Sequence, residues 1–168
     1  MPSSVKGLEE TFNELNGILS RTRTSILERL SKVGEKAVAM QRGSHIYKDQ
    51  TGNLTSSIGY VVLDAGKVYR SSGFSSVQVQ PDPLHGITGG DGKAGTKAGK
   101  DLIKLVAQKY ATDDIALVIV AGMEYAEYVE AKGLNVIDTA NMYVLGNATE
   151  QVKKTIAKAM KIIEEKLR

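Results

Sequence analysis

A proline-free stretch from Val5 to Met40 repeats apolar side chains at alternating steps of three and four: Leu8, Phe12, Leu15, Leu19, then Ile26, Leu30, Val33, Ala37 and Met40, with Thr22 filling the gap. That is the period of one helical face. The opposite face carries Glu9, Glu10, Arg21, Arg23, Glu28, Arg29, Lys32 and Glu35. Unbroken, the helix runs about 50 Å at the standard rise. A chain of 168 residues seldom needs so long a helix in one core. Two readings stay open: one long helix whose stripe partly meets another subunit, or two ordinary helices broken near Gly34.

Downstream the period changes. Thr51-Gly52-Asn53 reads as a turn, with Asn53 capping a short helical turn through Ile58. Gly59 to Leu63 and Lys67 to Ser71 flank the turn Asp64-Ala65-Gly66, which predicts a β-hairpin. Val77 to Gln80 extends its second strand until Pro81 and Pro83 stop it. Residues 81–99 hold six glycines between Gly86 and Gly99, with Lys93, Lys97 and Lys100 spaced through the later ones, so a long, flexible, basic loop is expected. A helix of about three turns follows through Leu102, Val106 and Tyr110.

The unbroken apolar run Ile115 to Ala121 predicts a strand buried on both faces, at the centre of the sheet. Met123 to Glu130 suits a helical turn, Asn135 to Asp138 a short strand. A last helix starts near Met142, with Leu145, Ala148, Val152, Ile156, Ala159, Ile163 and Leu167 on one face. The expected architecture is α+β: one domain over residues 1–168, with a small, mostly antiparallel sheet packed against a long N-terminal helix and a C-terminal helix.

The composition narrows the chemistry. There is no cysteine, which removes disulfides, thiolate metal sites and a cysteine nucleophile, and the two histidines, His45 and His85, lie in different segments. No window approaches the apolar length of a membrane span, and no signal-like run opens the chain, so synthesis in the cytoplasm and no membrane partner are expected. A net charge of +3 permits contact with nucleic acid without requiring it.

The motifs offer no enzyme constellation. Gly90 to Lys97 superficially resembles a phosphate-binding loop, but Ala94 follows Lys93 where a hydroxyl must hold magnesium, and prolines rather than a strand precede the segment. Glu124, Glu127 and Glu130 are close enough to couple as acid and base, yet a solvated helix edge with the tyrosines packed inward explains them better. No nucleophile elbow accompanies His85. No catalytic residue, metal or cofactor is expected.

Leu117 to Gly133, LVIVAGMEYAEYVEAKG, resembles the tail-completion or neck proteins of tailed bacteriophages, the family named after gene product ten of an HK-type siphophage. There a VxVxxG strand runs into YAxYVExG, and Tyr125, Ala126, Tyr128, Val129, Glu130 and Gly133 match position by position. Thr51 to Ile58 is similar to the family's TGxLxxSI segment, in the same order and spacing. The chain departs from many members after Gly133, carrying Asn135 to Met142 in place of a proline-aromatic motif.

The resemblance implies a non-enzymatic structural protein of the virion, made in the bacterial host cytoplasm. It would join head to tail as a homo-oligomeric ring, expected to be hexameric, around the DNA channel and against other neck and tail proteins. Met123, Tyr125, Tyr128 and Glu130 are then candidates for subunit contact or packing: Tyr128 holding the short helix on the sheet, Glu130 offering its charge outward. Lys93, Lys97 and Lys100 are candidates for facing the DNA channel without reading sequence. A second reading is a small DNA-binding accessory protein that uses the same basic segment.

Overall fold

The computed structural model describes residues 2–110 and 114–167. Its architecture is α+β. Helix α1 spans Pro2–Ser44, and α2 (Asn53–Ser57) leads into strand β1 (Ile58–Asp64). The hairpin partner β2 covers Lys67–Ser71. A 3-10 turn at Pro83–His85 precedes α3 (Lys93–Lys109), β3 (Ile115–Ala121), α4 (Ala126–Ala131) and α5 (Asp138–Leu167). Among the described residues no helix is long and apolar enough to cross a membrane.

The sheet is antiparallel throughout, in the order β2-β1-β3. Its hairpin turns on Ala65 and Gly66, both at positive φ (51° and 73°), the geometry that matches strand twist in a two-residue connection. The central strand is β1, not β3. Ile58, Tyr60 and Val62 face the layer built by α1 and α5, and Val61 and Leu63 face α3, so β1 is covered on both sides. Among the described residues β3 pairs only with β1, and six of its seven residues remain half-exposed. β3 packs on both faces but only in part, so its apolar run fixed neither full burial nor a central place in the sheet.

α1 is unbroken through Gly17 and Gly34. A side chain at Gly34 would collide with the Tyr60 ring, so the glycine admits the strand rather than ending the helix. α5 returns antiparallel along α1. Gln41 meets Ala140, Arg29 Nη1 donates to Gln151 Oε1 at 2.9 Å, and Lys166 pairs with Glu14 at 2.6 Å. The start of α5 at Asp138, four residues before Met142, absorbs part of the expected strand over Asn135–Asp138. Asn135 itself adopts φ 57°, which no strand tolerates, and its Oδ1 accepts the Thr139 N–H at 3.1 Å as a helix cap. Val77–Gln80 adds no strand either; Val79 forms only an isolated bridge with Gly90.

At α2 the helix N-cap is Gly52, and the caps come from Asp49, whose two carboxylate oxygens accept the Gly52 and Thr55 N–H groups at 2.9 and 3.1 Å. The Asn53 carboxamide instead accepts the Gly95 N–H of α3 at 3.2 Å. The Tyr60 hydroxyl donates to Glu35 Oε1 at 3.2 Å, and the Tyr47 hydroxyl bonds the Thr55 hydroxyl at 2.9 Å.

Removing the fully buried Tyr60 ring leaves a cavity between α1 and β1. Tyr60→Ala is expected to cost about 3 to 5 kcal/mol in urea unfolding, while Val68→Ala on the exposed strand β2 changes stability by less than about 1 kcal/mol. Burial pushes the phenols of Tyr47 and Tyr60 up to about 12, with the Glu35 carboxylate adding to the shift at Tyr60. Both therefore ionise later in the folded chain than in the unfolded one, near 10. Their stabilisation is complete below about pH 10 and is lost as pH rises toward about 12. Urea midpoints measured across that window should fall, and Tyr47→Phe should flatten the fall.

Candidate functional site

The expected flexible loop over 81–99 ends at Gly92. Gly92 takes φ 66° as the cap of α3, and residues 93–99 are its first turns. The glycines there answer to close approach, not to mobility. Gly95 and Gly99, one turn apart, face inward together with Ile103. A Cβ at Gly95 would overlap the Asn53 carbonyl, and one at Gly99 would run into the Phe74 ring. α3 thus lies against α2 with backbone nearly touching backbone. Residues 81–92 are pinned as well: Val79 and Gly90 exchange two 2.9 Å hydrogen bonds, and the Gly89 N–H donates to the Gln50 carbonyl at 3.0 Å.

The consequence is a stripe. Lys93, Lys97, Lys100 and Lys104 recur at i, i+4, i+7 and i+11 on the face of α3 opposite Gly95 and Gly99, and all four are exposed. Lys104 belongs with the three lysines expected from sequence, and the i+4 spacing from Lys100 was its signal. Lys93 pairs with Asp91 at 2.7 Å and Lys104 with Asp101 at 3.0 Å, both open to solvent. The Lys93 hydrogen bond holds the Asp91 carboxyl below its ordinary range, and Lys104 does the same to Asp101. The stripe is about 17 Å long at the helical rise. It presents a row of ammonium groups suited to a polyanion.

The second cluster divides differently from its expectation. Met123 is half-buried against the main core, whereas Tyr125 and Tyr128 are 42% and 63% exposed. Tyr128 does not hold α4 on the sheet. The inward positions of this short helix are taken by Ala126 and Val129, so Tyr128 projects outward with the Lys132 ammonium 4.3 Å from its ring centroid. Glu124 and Glu127 are solvated.

Glu130 turns inward instead of offering its charge to a neighbour. Its Oε2 accepts the backbone N–H groups of Val136 and, at 3.0 Å, Ile137, just ahead of α5. Gly133 and Asn135, both at positive φ, reverse the chain so that these groups come back over α4. With Asn135 capping Thr139 and Gln41 Oε1 accepting from Ala140 N at 2.9 Å, the orphan donors at the start of α5 find side-chain acceptors. Glu130 Oε1 is buried without a hydrogen bond.

The two segments that carry the sequence resemblance meet in space. Ile58, which closes the first, pairs with Ala121 in the second, and the Gly122 N–H donates to the Ser57 carbonyl at 3.2 Å. A Cβ at Gly122 would collide with the backbone of Ala98, so the same corner also seats α3. Among the described residues no three histidine, aspartate or glutamate side chains group as metal ligands do. No protein-family model, no curated protein and no solved structure matches this chain.

Glu130→Ala strips acceptors from two partly buried N–H groups and is expected to cost about 1 to 3 kcal/mol in thermal or urea unfolding. Glu127→Ala, on the exposed side of the same helix, should stay within about 0.5 kcal/mol of the parent.

Proposed function

We propose that the chain is a structural assembly protein of the head–tail junction in a tailed phage or prophage, acting as a ring of copies around the DNA channel and not as an enzyme. The observation that carries this reading is the corner where the TGNLTSSI segment, the β3–α4 segment and α3 come together. The two motifs of the resemblance, about sixty residues apart in sequence, build one rigid unit and display the lysine stripe from it. A protein that guides DNA without reading it needs such a row of cations on a firm support, because phosphate contacts position the duplex and carry no sequence information.

In this reading α3 faces the lumen, with Lys93, Lys97, Lys100 and Lys104 repeated in each copy. The outward Tyr125 and Tyr128 serve contacts with neighbouring neck or tail proteins, since aromatic side chains are favoured in such interfaces. The protein is carried in the virion. The same stripe favours a second reading, a DNA-binding accessory protein that works outside the particle.

Deletion of the gene should leave heads filled with DNA and tails that do not join, checked by electron microscopy of the lysate. Changing the four stripe lysines to serine should leave the melting temperature unchanged while lowering genome retention or ejection in assembled particles. Infectious particles of normal titre from the deletion would sink the junction role. Tight, salt-dependent binding of duplex DNA by a protein missing from purified virions would favour the accessory reading.

A further inference from the structure

Arg42 is a half-buried cation without a counter-charge. Near the end of α1 its guanidinium turns onto the junction of α2 and β1. There Nη2 donates to the Ile58 carbonyl at 2.9 Å and, more weakly, to the Ser56 carbonyl at 3.4 Å. Nη1 donates to the Ser75 hydroxyl at 2.9 Å, on the solvent side. All three acceptors are neutral. Nε is buried and meets no acceptor, and among the described residues no carboxylate pairs with Arg42. Burial lowers its pKa from the ordinary value, as expected of a cation whose lost hydration no anion replaces. Keeping an unpaired charge in this position is costly, so an incoming anion recovers interaction energy that the chain alone leaves unmade.

The facing wall is also short of partners. Residues 72–76 leave β2 and cross toward α3, and the backbone N–H groups of Gly73, Phe74, Ser75 and Ser76 make no hydrogen bond within the chain. Phe74 takes φ 44°, a local change of hand of the kind that gathers successive N–H groups into an anion-binding concavity. The Ser72 hydroxyl accepts the Tyr60 N–H at 2.7 Å and the Ser75 hydroxyl accepts from Arg42, so each keeps its own proton to donate. Between this wall and α1 lies a cavity of about 330 Å³, lined also by Val38, Tyr60 and Phe74. Glu35, the one carboxylate on its lining, is engaged by the Tyr60 hydroxyl. It precedes Arg42 by two turns, about 10 Å along the helix. Only the Arg42 end of the cavity is cationic.

The site adjoins the lysine stripe. The Ser76 hydroxyl bonds the Thr96 hydroxyl of α3 at 3.0 Å. At about 100° per residue, Thr96 falls on the helix surface between the inward Gly99 and the outward Lys100. Arg42, Ser75, Ser76 and Thr96 therefore form a continuous path from the cavity to the edge of the row.

We propose that Arg42 and residues 72–76 bind a phosphate group, its oxygens shared among the open Nη1 edge, the Ser72 and Ser75 hydroxyls and the free N–H groups. Donors that converge from a guanidinium, two hydroxyls and the backbone suit a tetrahedral oxyanion better than a planar carboxylate. Two sources supply this chemistry: free phosphate and a backbone phosphodiester of DNA. The second rests on the reading that α3 faces the duplex, and the phosphate held here is then one beside those that the lysines meet.

Ser75→Asp sets a carboxylate against Nη1 and fills the site from within, and the exposure of Ser75 lets the fold accept it. Ser20→Asp adds the same charge on an exposed turn about 33 Å away along α1. With the full-length parent at constant ionic strength, inorganic phosphate is expected to move the amide resonances of Gly73 to Ser76 and raise the melting temperature. Ser20→Asp keeps both effects, whereas Ser75→Asp loses them while melting no lower than the parent. Amides at 73–76 that ignore phosphate, or phosphate binding retained in Ser75→Asp, would overturn the site. With duplex DNA, Ser75→Asp is expected to bind about tenfold more weakly than Ser20→Asp, and its slope of log affinity against log salt to be smaller by about one, the loss of a single phosphate contact. Equal duplex affinity in the two variants would overturn the DNA contact, leaving free phosphate as the ligand and the lysine stripe standing. A parent that binds phosphate at 73–76 and no duplex would overturn the lumen role of α3 and leave the phosphate site standing.

Discussion

The side-chain amide of Gln41 sets how the two long helices meet. It has no solvent exposure, donates to the Asn135 carbonyl at 2.6 Å and accepts the Ala140 N–H at 2.9 Å. A buried amide that loses these partners costs far more than an apolar residue in the wrong place, so sliding α5 along α1 by even one residue is penalised. From that anchor the antiparallel register runs unchanged through Arg29 and Gln151 to Glu14 and Lys166. Every surface above the sheet inherits its position from this register. The exposed apolar side chains at the free ends of both helices, Leu8 and Phe12 on α1 and Met160 and Leu167 on α5, follow from where the register places them.

The helical faces of α1 and α5, the hairpin and the short α4 were legible in the sequence, because periodicity and turn chemistry are local properties; that α1 runs unbroken through Gly34 was not. Three of the misreadings share one cause: a residue type with two physical uses. Glycine at 95 and 99 signals either freedom or close approach, and only the partners Asn53 and Phe74, far along the chain, decide for close approach. A glutamate three residues after another reads as a solvated edge until the backbone returns over Glu130. The tyrosines read as core because they are large, although the turns of α4 that face inward fall on Ala126 and Val129.

The candidate site was half legible for the same reason. Three lysines in a glycine-rich segment were visible as charge. Their alignment with Lys104 into one stripe required α3 to be helical from Lys93, which depends on long-range packing against α2. The sheet illustrates the complementary limit. Hydrophobicity located β3 but could not place it at an edge of the three described strands.

The Glu14–Lys166 pair joins residues 152 positions apart. At roughly 5 to 20 residues per second, the last residue of α5 is added about 6 to 25 seconds after the last residue of α1. Throughout that interval its apolar stripe has no α5 to cover it. The hairpin β1–β2 can form meanwhile from neighbouring residues, but the layer that closes over it cannot. A nascent chain of this design is therefore most exposed to stray association while its first helix waits, and its opening turns meet any other nascent copy on the same message before they meet their own C-terminus.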